Sequence, residues 1–158
     1  MDVIRDAALK SQSVYTTRLM AEDVCQRLRS KDYLSEIVAI NNFVWANTRY
    51  MRDPRTVELV QAPYLVTEQL AAGRVPQLDC DDMAAYISAL LLSVGCETRV
   101  VTVAFRHMYY KGQRQFSHVF AQGKEPVSNT WVTCDSVAGA DTPKMIKRVV
   151  AAKMWPIA

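Results

Sequence analysis

Leu78-Asp79-Cys80-Asp81-Asp82-Met83-Ala84-Ala85-Tyr86-Ile87-Ser88-Ala89-Leu90-Leu91-Leu92-Ser93-Val94-Gly95 is the stretch around which the rest of the chain is read. Met83, Ala84, Ile87, Leu90, Leu91 and Val94 recur at helical spacing, so the pattern predicts a helix over 80–94 with a broad apolar stripe. Gly95 supplies a C-terminal stop. The apolar run from Met83 to Cys96 is interrupted by Ser88 and Ser93. It falls short of the ~20 residues needed to span a bilayer, so it reads as a core helix.

Outward from this helix the two halves of the chain differ in period. Upstream, residues 3–29 carry Ile4, Ala7, Ala8, Leu19, Val24 and Leu28 with a weak helical period. Residues 34–49 carry Leu34, Ile37, Val38, Ile40, Val44 and Trp45 at i, i+3, i+4 steps. Asp53-Pro54 breaks the pattern, because the residue before proline avoids the helical region. A further helix is expected over 62–72, with Leu65, Leu70 and Ala71 inward and Gly73 and Pro76 closing it. Downstream, β-branched residues from Thr98 to Phe105 predict a strand, followed by strands over 116–122 and 131–135. Lys111-Gly112 and Gln122-Gly123 are read as turns. Thr142-Pro143 is a helix start, and a short basic amphipathic helix is expected to run to about Lys153. Helices first and consecutive strands after them indicate an α+β fold, a helical half packed on a small antiparallel sheet.

Composition bounds the function classes. The 158 residues suit one domain, 1–158, with a helical extension over 1–33, a core over 34–136 and a C-terminal helix or tail over 142–158. Half the residues are hydrophobic, which excludes a disordered chain. A net charge of +3 is too small to argue for nucleic acid or a membrane surface. Four cysteines without a C-x-x-C pair, and only two histidines, argue against a zinc site and against a disulfide framework. No metal or other cofactor is expected. Met1-Asp2-Val3-Ile4-Arg5-Asp6 has neither a basic start nor an apolar run, so no secretory leader is expected and a cytoplasmic location is.

Three residues carry the chemistry. Cys80 opens the 80–94 helix, where unpaired N–H groups and the positive end of the dipole favour a thiolate. His118 lies in the second strand and can take the thiol proton and return it to a leaving group. Asp135 ends the third strand and can orient the imidazole. Period-2 alternation gives Phe116, His118 and Phe120 one face, and Trp131, Thr133 and Asp135 one face. Against this, Asp79, Asp81 and Asp82 surround Cys80, and negative charge disfavours a thiolate. The favoured reading of those acids is helix capping rather than a hard-cation site, since successive helical positions diverge.

These segments resemble the transglutaminase-like superfamily. The resemblance runs over roughly 35–136. It rests on Asp79-Cys80-Asp81 with the leucine-rich turn, Gly95 and Arg99; on Phe116-Ser117-His118-Val119-Phe120; and on Trp131-Val132-Thr133-Cys134-Asp135. His118 follows Cys80 by 38 residues and Asp135 follows His118 by 17, spacings that suit a compact member. Leu78 stands where many members have glycine, Cys96-Glu97 replaces a common Ile-Pro, and Ser136 replaces a proline. The resemblance implies a papain-like cysteine protease fold with Cys80 as nucleophile, His118 as base and Asp135 as orienter. The implied reaction is attack on an amide through a thioester, in a protein or peptide substrate. Water is favoured over an amine as acceptor. The short stand-alone bacterial and tailed-phage type is the nearest in pattern. It implies a place in the host cytoplasm or a virion if the chain is phage-encoded.

Each feature has a plainer reading. A helix cysteine is often a small buried hydrophobe, and a strand histidine between phenylalanines can be a satisfied core residue. Cys25, Cys96 and Cys134 read as packing, with Cys134 facing away from Asp135. His107 reads as surface. Trp131 reads as core, or else as a wall of the acyl channel. Met108-Tyr109-Tyr110-Lys111 reads as a hairpin tip or as a lip for substrate. The competing function is a catalytically silent papain-like module that assembles with partner proteins through its C-terminal helix, as in a virion.

Overall fold

The computed structural model describes residues 1–52 and 59–157, so the break expected at Asp53-Pro54 lies outside the described residues. The weak period at the start resolves into two helices, α1 (Asp2–Gln12) and α2 (Tyr15–Cys25). Ile4, Ala8 and Ser11 of α1, and Thr17 and Ala21 of α2, are buried at three- and four-residue steps, whereas Leu19 is exposed. Helix α3 (Tyr33–Asn47) is capped by Asp32, whose side chain accepts from the Ser35 N–H at 3.2 Å. It buries Ile37, Ile40 and Val44.

A short strand, β1 (Arg49–Tyr50), pairs in parallel with β2 (Gln77–Leu78), and α4 (Pro63–Ala71) lies between them in sequence. Helix α4 begins on proline, whose missing N–H needs no partner there. Its buried positions are Pro63, Val66 and Thr67, while Leu65 and Ala71, expected inward, are exposed. Thr67 explains the rotation: its hydroxyl donates to the Tyr86 oxygen at 3.3 Å inside the core. A buried tyrosine needs such a partner.

Helix α5 (Cys80–Ser93) is the axis of the molecule. Ten of its fourteen residues, Asp82 to Leu91, are buried. A helix apolar all round belongs in an interior. It contacts α1, α2, α3 and α4 as well as β3 (Thr98–Ala104) and, further along the chain, β6 (His118–Glu125). Between those strands β4 (Tyr109–Tyr110) and β5 (Gln113–Arg114) form a hairpin. Its turn, Lys111-Gly112, has positive φ at both residues. The β6 strand is followed by β7 (Thr130–Cys134), a 3-10 turn, α6 (Thr142–Ile146) and β8 (Ala151–Pro156).

The main sheet runs in the order β7-β6-β3-β8 and every pair is antiparallel. Val100 and Val119 face α1 and α5 in one core cluster, while Val101, Val103 and Phe120 form another on the opposite face with Met145 and Val149. Among the described residues no helix is long and apolar enough to cross a membrane.

Two expectations are corrected. The C-terminal helix is present but ends at Ile146, and Ala151–Pro156 is an edge strand on β3. Alanine and lysine suit a helix locally, but β3 offers an unpaired edge, and its backbone hydrogen bonds outweigh that preference. Gln122-Gly123 is not a turn either, since both lie inside β6. A Cβ on Gly123 would stand 3.0 Å from Cys96 Sγ and 3.1 Å from Ile37 Cγ1. Glycine is there to let α3 approach the sheet. The β6–β7 connection is residues 126–129, with Asn129 at φ 57°.

Candidate active site

Cys80 occupies the first position of α5 after its N-cap, Asp79. The Asp79 carboxylate accepts from the N–H groups of Asp81 (2.9 Å) and Asp82 (3.0 Å). Asp82 completes a capping box by accepting from the Asp79 N–H at 3.3 Å and also takes the Gln61 N–H at 2.6 Å. Two of the three acids thus serve as caps, as favoured from the sequence. These bonds leave the Cys80 N–H as the first-turn donor without an acceptor among the described residues.

His118 is the first residue of β6 and lies opposite Val103. The Ser117 N–H also reaches the Val103 carbonyl (3.0 Å), so two consecutive residues oppose one at the mouth of the strand. That is the arrangement by which a bulge re-aims a side chain. The imidazole sits between Phe105 and Phe120, with ring centroids 6.2 and 6.1 Å away. Its Nε2 lies 2.6 Å from Asp135 Oδ2.

Asp135 is almost fully buried and its carboxylate is saturated. Oδ1 accepts from the N–H groups of Val137 and Ala138, both at 3.0 Å, which leaves Oδ2 for the ring. An ionised carboxylate only accepts, so Nε2 carries the proton and Nδ1 is left as the ring's acceptor. The two residues meet because β6 and β7 pair antiparallel with Ala121 opposite Cys134, a register that alternation within each strand does not set.

Cys80 and His118 line one cavity of about 230 Å³, together with Asp81, Thr102, Phe116 and Val119. They are not joined by a hydrogen bond; the thiol instead donates to Asp81 Oδ1 at 3.7 Å. Burial pushes the Cys80 thiol up to about 12, the Asp81 and Asp79 carboxylates add to this, and the Val119 N–H offsets part of it. Desolvation and the acids therefore outweigh the helix dipole at rest.

The remaining candidates fall elsewhere. Cys134 is buried in the helix-side core, its thiol directed at the Ile37 carbonyl (3.9 Å). Trp131 lies under Arg99 (4.0 Å) and Lys124 (5.7 Å), at the far end of β7 from Asp135, and does not wall the Cys80 cavity. His107 is on the surface beside Arg114. Tyr109 and Tyr110 are exposed on the hairpin, with the Arg114 guanidinium donating to the Tyr109 hydroxyl at 2.6 Å. Thr102, Val119 and Met1 also line the cavity, and no sequence signal marks them. Pairing of β3 with β6 and docking of α1 bring them there. Among the described residues no group of three or more His, Cys, Asp or Glu side chains is placed to hold a metal ion.

No protein-family model matches the sequence, and no curated protein matches it. Two solved structures are similar. A candidate protease from Parabacteroides distasonis superposes with a TM-score of 0.61 at 13% identity, over 83% of this chain and 25% of that one. A candidate cysteine protease from Cytophaga hutchinsonii gives 0.54 at 15% identity, over 87% and 45%. This chain thus spans a quarter of the first and under half of the second. The likeness is one of fold, and it is consistent with the papain-like architecture expected from the sequence.

Proposed function

We propose that the chain is a transglutaminase-like cysteine hydrolase of protein or peptide amides, with Cys80 as nucleophile, His118 as base and Asp135 as the residue that orients it. The observation that carries this reading is the 2.6 Å His118–Asp135 pair opening, through His118, on the cavity that Cys80 also lines. In the proposed reaction Nδ1 of His118 takes the thiol proton as Sγ bonds to the amide carbon. The carbonyl oxygen becomes an oxyanion facing the Cys80 N–H. Collapse breaks the C–N bond, the amine leaves with the proton from the imidazolium, and water then hydrolyses the thioester by the same route. Asp135 stays ionised and stabilises the imidazolium in both halves.

One observation favours a second reading, a silent module with a structural or assembly role. The resting thiol is bonded to Asp81 and raised well above an ordinary cysteine. Site-resolved iodoacetamide labelling across pH, with His118→Ala alongside, separates the two. The hydrolase reading expects Cys80 to show a labelling limb below about pH 8 that disappears in His118→Ala, and slow amide turnover that Cys80→Ala abolishes. If Cys80 labels only at high pH and ignores His118→Ala, the hydrolase reading fails.

A further inference from the structure

A second cavity, about 390 Å³, lies at the other end of α5, some 20 Å from Cys80 at the helical rise of about 1.5 Å per residue. It is walled by Tyr33, Glu36 and Ile37 of α3, by Val94 to Glu97 after α5, and by Lys124 with the β6–β7 turn. Its volume is in the range that holds small ligands.

The charges here do not cancel. Lys124 Nζ donates to Glu97 Oε2 at 2.8 Å, so those two neutralise each other. Glu36 is the third charged wall residue, half-buried, and its carboxylate has no hydrogen-bond or ion-pair partner among the described residues. Burial, with Asp32 nearby, holds its carboxyl above the usual range. Val94 and Gly95 bring the C-terminal end of α5 to the same wall, where the helix dipole is negative. The Tyr33 ring adds a face that attracts cations. Ile37 and Val94 give an apolar flank. An anion meets the same sign of charge here, and the donors do not form a metal shell.

We propose that this cavity binds a small organic monocation, a primary ammonium or guanidinium on a short aliphatic stem, with Glu36 as its counter-ion.

Cys96, half-buried in the same wall, is a built-in reporter. The test follows iodoacetamide labelling of Cys96 and Cys80 in the full chain, with butylguanidine, pentylamine and the uncharged pentanol as probes. Butylguanidine and pentylamine are expected to slow Cys96 labelling at least threefold, with Cys80 unchanged and pentanol without effect. In Glu36→Gln, with its circular dichroism and melting temperature matching the parent, the protection should weaken at least tenfold. Blocked arginine, N-acetyl-arginine methylamide, separates the sources of the cation. Protection by it as well assigns a peptide side chain; protection by the two small cations alone assigns a free small molecule. The proposal is overturned if neither small cation protects at about 10 mM, if pentanol protects equally, or if Glu36→Gln keeps full protection. Should that variant not fold, the amine-against-alcohol contrast on the parent chain still decides.

Discussion

The two ends of α5 are built from similar parts and are put to different uses. Each end carries a cysteine beside acidic residues, and burial raises both thiols. At the N-terminal end the Asp79 and Asp82 carboxylates are committed to backbone N–H groups, and the facing strand presents an imidazole held by a buried carboxylate. At the C-terminal end Gly95, at φ +80°, turns the chain, and the facing strand presents a lysine already neutralised by Glu97. A thiol at a helix end is therefore not informative by itself. What the neighbouring strand places opposite it makes the difference.

The largest expected effect tests that contrast directly. Asp135→Ala removes the acceptor of three donors and leaves two backbone N–H groups without it, a loss of about 3 kcal/mol in urea unfolding. Glu36→Gln, at the other end, should change stability by less than about 0.5 kcal/mol. Equal losses would erase the contrast. Next come the two helix stops. Gly95→Ala places a Cβ at positive φ, and Asp79→Ala deletes an N-cap. Each should lower stability by about 1 kcal/mol in the same measurement.

A subtler effect concerns Asp81, which raises the Cys80 thiol and accepts its hydrogen bond. Asp81→Asn should speed Cys80 labelling at pH 8 by roughly threefold to tenfold, a change of up to about one pK unit, and leave Cys96 unchanged. Equal acceleration at both thiols would point to loosening of the whole helix. The smallest effect lies at the β6–β7 turn. Glu125 accepts from the Ser128 hydroxyl and from the N–H groups of Ser128 and Val127, which hold its carboxyl below the usual range. Its contribution is complete above the ordinary glutamate pKa and is lost as pH falls through the lower folded-state value. Melting temperatures between about pH 5 and 3 should therefore fall less steeply in Glu125→Gln than in the parent.

Local chemistry made much of this legible. The α5 boundaries, the Asp79 cap and the Lys111-Gly112 turn follow from period, capping and turn chemistry, whereas the meeting of His118 and Asp135 depends on the β6–β7 register, which alternation within each strand does not set. What escaped depends on distant partners. Residues 151–156 look helical until β3 supplies an edge. Gly123 looks like a turn until Ile37 presses on it from α3. The state of Cys80 was open because the helix dipole and the acids pull in opposite directions, and burial, which decides the balance, is a tertiary quantity.

The position of β8 has a consequence for synthesis. Strand β3 is paired by β6 on one side and by β8 on the other, so its second edge is covered only when residues 151–156 arrive. After Cys134 leaves the ribosome, reaching Pro156 takes roughly one to four seconds at about 5–20 residues per second. During that interval a nascent chain with α5 already docked presents an open row of backbone donors and acceptors along a valine-rich strand. Residues 151–156 thus replace the valine-rich edge of β3 with an edge that carries Lys153 and Pro156, residues that discourage pairing with a neighbouring chain.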